Sequence, residues 1–154
     1  MERLWFIANL AEVLAERGDL SVVRMHKPAG DQPPLHVHAH ESETFYVLDG
    51  SLTVWVGDAE PVTLGPGEAV TAPPGLPHTY RANEHTVSLV IATSGTFAAF
   101  LRAAGRPAER PELPVLDGPP DAERLARIAA DHDITILGPP GMLPSHLAAG
   151  ARPL

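Results

Sequence analysis

Short apolar runs separated by glycine and proline turns fill the chain from Leu20 to Thr93. Several runs alternate apolar with polar residues, which is typical of β-strands that bury one face. The turns place glycine or proline where a positive or fixed φ ends strand pairing. The 17 prolines and 13 glycines among 154 residues also disfavour a helical protein. Strands at such regular spacing predict an all-β sandwich or barrel.

The predicted strands can be placed along the chain. They are Leu4–Ala8, Leu20–Lys27, Leu35–His38, Glu43–Leu48, Ser51–Val56, Pro61–Leu64, Glu68–Ala72, His78–Arg81, Thr86–Thr93 and Ile134–Leu137. The segment Leu10–Arg17 stays open, because its apolar residues fit both a helical and an alternating pattern.

The pattern changes beyond residue 93. Thr96 is predicted to cap a short helix that ends at Gly105, and Asp121 to cap a second helix. Proline is frequent between the two helices, which favours an extended chain there. We therefore predict one barrel domain, residues 1–104, and a proline-rich C-terminal arm, residues 105–154, with one helix that packs on the barrel or on a second subunit.

Three histidines and one glutamate stand at spacings that fit this strand-and-turn pattern. His36 and His38 alternate on one predicted strand and therefore share a face. Glu43 has the opposite parity, so we expect the segment before it to turn and the next strand to pair antiparallel, which brings Glu43 beside the histidines. His78 begins a later strand, after a rigid proline turn. In a closed barrel the four can converge, and imidazole with carboxylate selects first-row divalent metals.

Two neighbouring residues, His40 and Glu41, are alternative ligands, although His40 lies at the turn and is expected to be exposed. Histidines that are merely exposed or hydrogen-bonded are the other interpretation of the pattern. The histidines without a partner pattern are His26, His85, His132 and His146. Four protein ligands leave up to two positions of an octahedron open, which is typical of a catalytic metal site.

The segments around these residues resemble the two sequence motifs of the cupin superfamily. The first motif, residues 30–50, matches at every fixed position, and the second, residues 67–83, matches through His78. The usual terminal asparagine of the second motif would fall at Ala82, whereas Asn83 lies one residue later. The C-terminal arm more loosely resembles the tails of small quercetinase-like monocupins.

The resemblance implies a double-stranded β-helix, a jelly-roll barrel, that holds one divalent ion through His36, His38, Glu43 and His78. Iron, manganese, nickel, cobalt, copper and zinc all accept such a ligand set. Quercetinase-like dioxygenases bind an enolate-type substrate through its deprotonated oxygen and react it with O₂. The glutamate that matches Glu43 accepts the acidic proton of the substrate in these enzymes, so Glu43 is the expected catalytic residue.

Apolar residues near Glu43 are candidates for the substrate pocket. Phe45 and Val47 alternate inward after it, and Val54, or Trp55 on the other parity, would add an apolar wall. Such a pocket suits a flat aromatic or polyketide-like molecule, although the same residues also fit an ordinary core. We expect a metal-dependent dioxygenase that acts with O₂ on a small phenolic or enolisable compound. The alternatives are a non-redox isomerase, cyclase or lyase, and a non-catalytic cupin that binds a small molecule.

Charge and cysteine content exclude several other classes. With 11 basic and 19 acidic residues the net charge is −8, so the chain lacks the positive field that nucleic acids and anionic membranes require. It contains no cysteine, which excludes disulfides and thiolate chemistry and fits a reducing compartment. The apolar stretch Leu4–Ile7 is too short for a membrane span. We expect a cytoplasmic homodimer, by resemblance, that uses Leu4–Ile7 or the C-terminal arm as its interface.

Overall fold

The computed structural model describes residues 1–150, with side chains described through residue 147, and this part of the chain forms 12 strands and three helices. The strands are β1 (Glu2–Phe6), β2 (Asn9–Arg17), β3 (Leu20–Lys27), β4 (Leu35–His38), β5 (Glu43–Asp49), β6 (Leu52–Val56), β7 (Val62–Leu64), β8 (Ala69–Ala72), β9 (His78–Ala82), β10 (Thr86–Ala92), β11 (Arg106–Pro107) and β12 (Ile134–Gly138). The helices are α1 (Thr96–Ala104), α2 (Ala122–Ala130) and α3 (Pro144–Gly150).

The strands form two antiparallel sheets that enclose one core. The larger sheet has the order β11-β1-β2-β3-β10-β5-β8, and the smaller has the order β12-β4-β9-β6-β7. Non-consecutive strands lie side by side in both sheets, so the chain passes repeatedly from one sheet to the other. This arrangement confirms the predicted double-stranded β-helix with short helices.

Strict alternation along β3 and β10 fixes which side chains enter the core. On β3, Val23, Met25 and Lys27 are buried at every second position, and β10 shows the same period. The register pairs Val23 with Val90 and Val90 with Phe45, so that these three residues form one row across the larger sheet. The interior face of this sheet is therefore set by period-two patterning that the sequence already shows.

The segment that the sequence left open is strand β2, which pairs with β1 and β3. Its register against β3 shifts between Val13 and Ala15, which leaves Leu14 as an extra residue in the ladder. A bulge of this kind inverts the parity of the following residues. Residues before and after the bulge therefore alternate in opposite phase, and this change of phase gives the apolar residues a spacing that resembles a helix.

Helix α1 begins one residue earlier than the predicted cap allows. Its N-cap is Gly95, and Thr96 makes no side-chain cap. The free N–H groups of the first turn instead donate to side chains from elsewhere: Thr96 N to Ser94 Oγ at 3.1 Å, and Phe97 N to Glu41 Oε2 at 3.3 Å. The predicted end of this helix at Gly105 is confirmed.

The C-terminal segment packs back on the barrel edge. Strand β11 pairs with β1, and the indole Nε1 of Trp5 donates to the carbonyl of Glu112 at 2.7 Å. Leu4 and Trp5 are thus buried within the chain itself, at 4% and 5% exposure. Because these residues belong to the stretch proposed as a dimer interface, much of that stretch is already covered by the chain's own arm.

Two further findings concern residues 105–154. The predicted cap at Asp121 is confirmed, since its carboxylate accepts from the backbone of Arg124, but the arm carries a second short helix, α3, where one helix was predicted. The α3 sequence begins with proline and lacks an apolar stripe, so periodicity did not reveal it. Residues 151–154 of the arm lie outside the described residues. No helix within residues 1–150 is long and apolar enough to cross a membrane.

Candidate metal centre

The four predicted ligands come from three strands in the two sheets. His36 and His38 lie on β4 and His78 begins β9, its neighbour in the smaller sheet, where His36 is paired directly with His78. Glu43 begins β5 in the larger sheet. The expectation that the Glu43 strand pairs with the histidine strand is therefore wrong. The intervening turn crosses from one sheet to the other, and Glu43 meets the histidines across the barrel.

The ligand atoms converge on one carboxylate oxygen. Glu43 Oε2 lies 2.9 Å from His78 Nε2, 3.0 Å from His38 Nε2 and 3.9 Å from His36 Nε2. Taking one ligand atom from each residue, all four atoms lie within 4.8 Å of one another. Glu43, His38 and His78 are almost completely buried, at 3%, 3% and 1% exposure. This separation leaves one ion within reach of all four ligand atoms.

Hydrogen bonds to the outer nitrogens orient all three imidazoles. His36 Nδ1 donates to the Pro34 carbonyl at 2.8 Å, and His78 Nδ1 donates to the Leu76 carbonyl at 3.1 Å. A carbonyl only accepts, so both Nδ1 atoms carry hydrogen, and each ring directs its Nε2 to the centre. Metal-binding histidines in proteins are fixed in the same way.

The outer nitrogen of His38 is held by a carboxylate. Nδ1 donates to Glu41 Oε1 at 3.0 Å, and the other oxygen of Glu41 accepts from Ser94 and from the backbone of Phe97. Glu41 is 4% exposed and binds Nδ1, whereas Nε2 of the same ring faces Glu43, so Glu41 lies behind His38. The sequence offered Glu41 as an alternative ligand, whereas the structure places it as the residue that orients one. His40 is exposed, as expected.

The donor set fits a cation. Nε2 of His38 is fully buried and makes no hydrogen bond with any described residue, although Glu43 Oε2 is 3.0 Å away. Lone pairs and a carboxylate facing one another require a cation between them. Burial and the neighbouring His78 lower the pKa of His36, which disfavours a proton there. Although burial opposes it, the carboxylates of Glu43 and Glu41 raise the pKa of His38 to about 10, so a proton takes the place of the cation at His38 when no metal ion is bound. The His₃Glu cluster can therefore bind one metal ion.

An apolar cavity of about 580 Å³, counting its part open to solvent, adjoins this cluster. His36, His38 and Glu43 lie in its wall. The apolar part of the wall includes Met25, Phe45, Tyr80, Val90, Phe97 and Ile134.

Of the four residues predicted to line a pocket, only Phe45 lies in the wall of this cavity. Val47 and Val54 are fully buried in the core and do not line it, which corrects that prediction. Trp55 lies on the opposite face of β6 from Val54 and is half-buried, so it does not line it either. Parity identifies the inward positions, but it does not show which of them are covered by other core side chains.

The cavity wall also contains Lys27 and Tyr80, which the sequence interpretation did not select. Lys27 follows the inward parity of Val23 and Met25 on β3, so the alternation alone places it in the interior. It is also the single lysine of the chain. Those two signals together would have identified it.

Comparison with known proteins agrees with this fold. Residues 23–93 match the model of the family described as Cupin domain. The curated protein quercetin 2,3-dioxygenase from Bacillus subtilis (strain 168) is 35% identical over 112 residues, which is 72% of this chain and 32% of that protein. The chain thus spans about a third of the length of the curated relative it matches.

Solved structures give the same fold. KdgF from Halomonas sp. has a TM-score of 0.54 at 22% identity, over 58% of this chain and 94% of that one. An RmlC-like cupin from Shewanella frigidimarina NCIMB 400 also has a TM-score of 0.54 at 22% identity, over 62% and 85% of the two chains. Residues 23–93 thus match a cupin domain, and the chain has the double-stranded β-helix fold. Among cupins, it resembles the quercetinase-like proteins.

Proposed function

We propose that this protein is a metal-dependent dioxygenase that acts with O₂ on a small phenolic or enolisable compound, flavonol-like or polyketide-like. The observation that carries the proposal is the convergence of three histidine Nε2 atoms and one carboxylate oxygen at the wall of an apolar cavity. The 35% identity to quercetin 2,3-dioxygenase supports the same reaction class.

His36, His38, Glu43 and His78 would hold a single divalent ion, one of iron, manganese, nickel, cobalt, copper or zinc. Such an ion supplies a Lewis acid for an anionic oxygen and, where it is redox-active, a route for electrons to O₂. The carbonyls behind His36 and His78 and the carboxylate behind His38 keep the three rings in place, so the rings need not move when the ion binds.

The cavity wall would bind the organic part of the substrate. The rings of Phe45 and Phe97 stand beside the histidines, with centroids 6.1 Å from His78 and 6.4 Å from His38, respectively. Aromatic and aliphatic walls favour a flat, poorly hydrated ligand and exclude water from the reacting atoms. A phenol or an enolisable ketone combines such a body with one acidic oxygen.

Glu43 would take the acidic proton. Its Oε2 faces the three histidines, while its Oε1 makes no hydrogen bond with any described residue. A carboxylate that faces the metal ligands and borders the cavity can accept a proton from a bound hydroxyl. Despite burial, the facing histidines hold the pKa of Glu43 well below its ordinary value, so Glu43 is ionised before substrate binds.

Oxygen consumption by the metal-loaded protein tests this proposal. We expect uptake of O₂, and incorporation of labelled O₂ into product, with flavonols or other enolisable phenols. His38→Ala should abolish both, whereas His40→Ala, which changes an exposed histidine two residues away, should retain them. Turnover that persists unchanged without oxygen would contradict the dioxygenase and favour a non-redox isomerase, cyclase or lyase. A bound ligand that is never consumed would favour a non-catalytic binding cupin.

A cytoplasmic location and a homodimer complete the proposal, with neither nucleic acid nor membrane as partner. The cysteine-free, acidic composition supports the location and the absence of these partners. Light scattering of the purified protein tests the oligomeric state, and a mass of 16.4 kDa would contradict the dimer.

A further inference from the structure

Lys27 is the single lysine of the chain and has 0% exposure. It ends β3 with its side chain in the wall of the same cavity that the metal cluster borders. Lysine is among the residues least often found fully buried, because its ammonium group loses hydration there. All ten other basic residues of this chain are arginines, so a lysine in the core is an exception to the chain's own usage.

The protein itself satisfies Lys27 only in part. Nζ donates to Ser88 Oγ at 2.9 Å and lies 5.0 Å from the centroid of the Tyr80 ring. An ammonium group has three N–H donors, and among residues 1–147 no carboxylate lies within ion-pair distance of Nζ. Asp31 and Glu43 attract the ammonium only from farther away. Burial lowers the pKa of Lys27 to about 8, so the group still carries its charge at neutral pH.

The position of Lys27 relative to the metal cluster follows from strand geometry. Tyr80 and His78 are consecutive inward residues of β9, and such residues are about 7 Å apart along a strand. Lys27 lies over Tyr80, one step away from the ligand His78. The cavity therefore has a site for a cation at one end of its wall and an ammonium group farther along it.

The charges around the cavity favour an anion. A divalent ion and the Lys27 ammonium together outweigh the carboxylates of Glu43 and Asp31 by one charge. A ligand with one ionised carboxylate at Lys27, and one hydroxyl at the metal that passes its proton to Glu43, brings one negative charge in total and would neutralise this excess. A second phenol would not serve at neutral pH, because an unperturbed phenol has a pKa of about 10. A carboxylate is ionised there.

We propose that Lys27 anchors a carboxylate of the substrate, so that the substrates are phenolic or enolisable carboxylic acids with the acid group at the far end from the metal-binding oxygen. This inference rests on the proposed function in one respect, that the metal holds the other oxygen. It makes Lys27 a specificity-determining residue, and Ser88 and the Tyr80 ring the groups that position it.

Matched ligands test the proposal without turnover. The probes are 3,4-dihydroxybenzoate and its neutral counterpart 3,4-dihydroxybenzamide, titrated calorimetrically into zinc-loaded protein, because zinc is redox-inert. We expect the acid to bind at least about tenfold more tightly than the amide, as an ion-paired hydrogen bond in a dry site allows. In Lys27→Met that preference should fall to within about twofold, with the amide affinity and the zinc content unchanged.

A direct readout is available in the unmutated protein. Because Lys27 is the single lysine, isotope-labelled lysine gives one side-chain Nζ and Cε signal by NMR. We expect the acid to shift this signal and the amide to leave it in place. This measurement decides the question even if Lys27→Met does not fold.

Three results would overturn the inference: an equal preference for the acid in Lys27→Met and in the unmutated protein, an unmoved lysine signal, or failure of both probes to bind. Failure of the proposed function looks different. A lysine-dependent preference without any O₂ uptake would leave Lys27 as an anchor and remove the dioxygenase. O₂ uptake with neutral flavonols and no preference for the acid would support the dioxygenase and remove Lys27 as an anchor.

Discussion

Replacement of Glu41 tests whether the hydrogen bonds behind the histidines matter for metal binding. Glu41 is 4% exposed, and it joins His38 Nδ1 to Ser94 and to the first turn of α1. Glu41→Gln keeps the shape of the side chain but replaces a charged acceptor by a neutral amide. Glu41→Ala removes the acceptor and leaves two buried donors, His38 Nδ1 and Phe97 N, and the half-buried Ser94 hydroxyl without a partner.

The two variants should differ in a predictable way. Loss of a carboxylate that orients a metal-bound histidine typically lowers metal affinity by about 10- to 100-fold, and we expect Glu41→Gln in this range. Each unsatisfied buried donor costs about 1–3 kcal/mol. With two such donors, we expect Glu41→Ala to lower the free energy of unfolding by about 2–6 kcal/mol in addition to weakening metal binding.

Competition with a chromogenic chelator measures the zinc affinity, and urea unfolding of the metal-free protein measures stability. A double-mutant cycle shows whether Glu41 acts through His38: the effect of Glu41→Gln on zinc affinity should disappear in a His38→Ala background. His40→Ala is the control for a nearby, exposed side chain. A Glu41→Gln variant that binds zinc within about twofold of the unmutated protein would refute the reasoning.

Three further predictions follow from the remaining contacts. Burial raises the pKa of Glu12, but hydrogen bonds from Arg24, His26 and Arg3 outweigh it and lower this pKa from 4.5 to about 2. Glu12 therefore stabilises the fold fully above about pH 5. About 2–3 kcal/mol of unfolding free energy should disappear as pH falls to 2, and Glu12→Gln should flatten that dependence. Gly50→Ala should lower the free energy of unfolding, measured in urea, by about 3 kcal/mol, because φ is +90° and a Cβ would lie 2.5 Å from the His85 carbonyl. Gly30→Ala, where φ is +84° but the space is open, should lower it by about 1 kcal/mol. Equal losses in the two variants would contradict the steric argument. Zinc at 100 times its dissociation constant should stabilise the protein by about 2.7 kcal/mol, and an unchanged melting temperature would contradict metal binding by the folded state.

The sequence predicted the interior of the barrel well because period-two patterning is a local property. Strands β3 and β4 have the predicted bounds, and the other predicted strands differ by a few residues at their ends. The prediction stayed open at Leu10–Arg17 because the bulge at Leu14 combines two parities in one segment. It failed at Thr96 because the cap of α1 is completed by Glu41, which is distant in sequence.

The same distinction between local and distant information governs the site. Spacing brought His36, His38, Glu43 and His78 into one set, but it placed Glu43 on a strand beside the histidines. Which strand pairs with which depends on the crossing between sheets, and residue spacing carries no signal for that crossing. The cavity wall is likewise a property of the whole interior, which is why Val47 and Val54 were predicted to line it and do not.

The origin of the ligands in two sheets has a physical consequence for this fold. His36, His38 and His78 belong to the smaller sheet and Glu43 to the larger, so one ion would bind the two sheets to each other. Without a cation, Glu43 and the imidazoles must share protons in a buried space, and burial disfavours those protons at His36. Metal binding and sheet packing are therefore coupled. Lys27 lies on the larger sheet and contacts Tyr80 on the smaller one, so it makes a second charged contact between the same two sheets. A ligand that reaches both ends of the cavity would thus be recognised by the relative position of the sheets, and not by one strand alone.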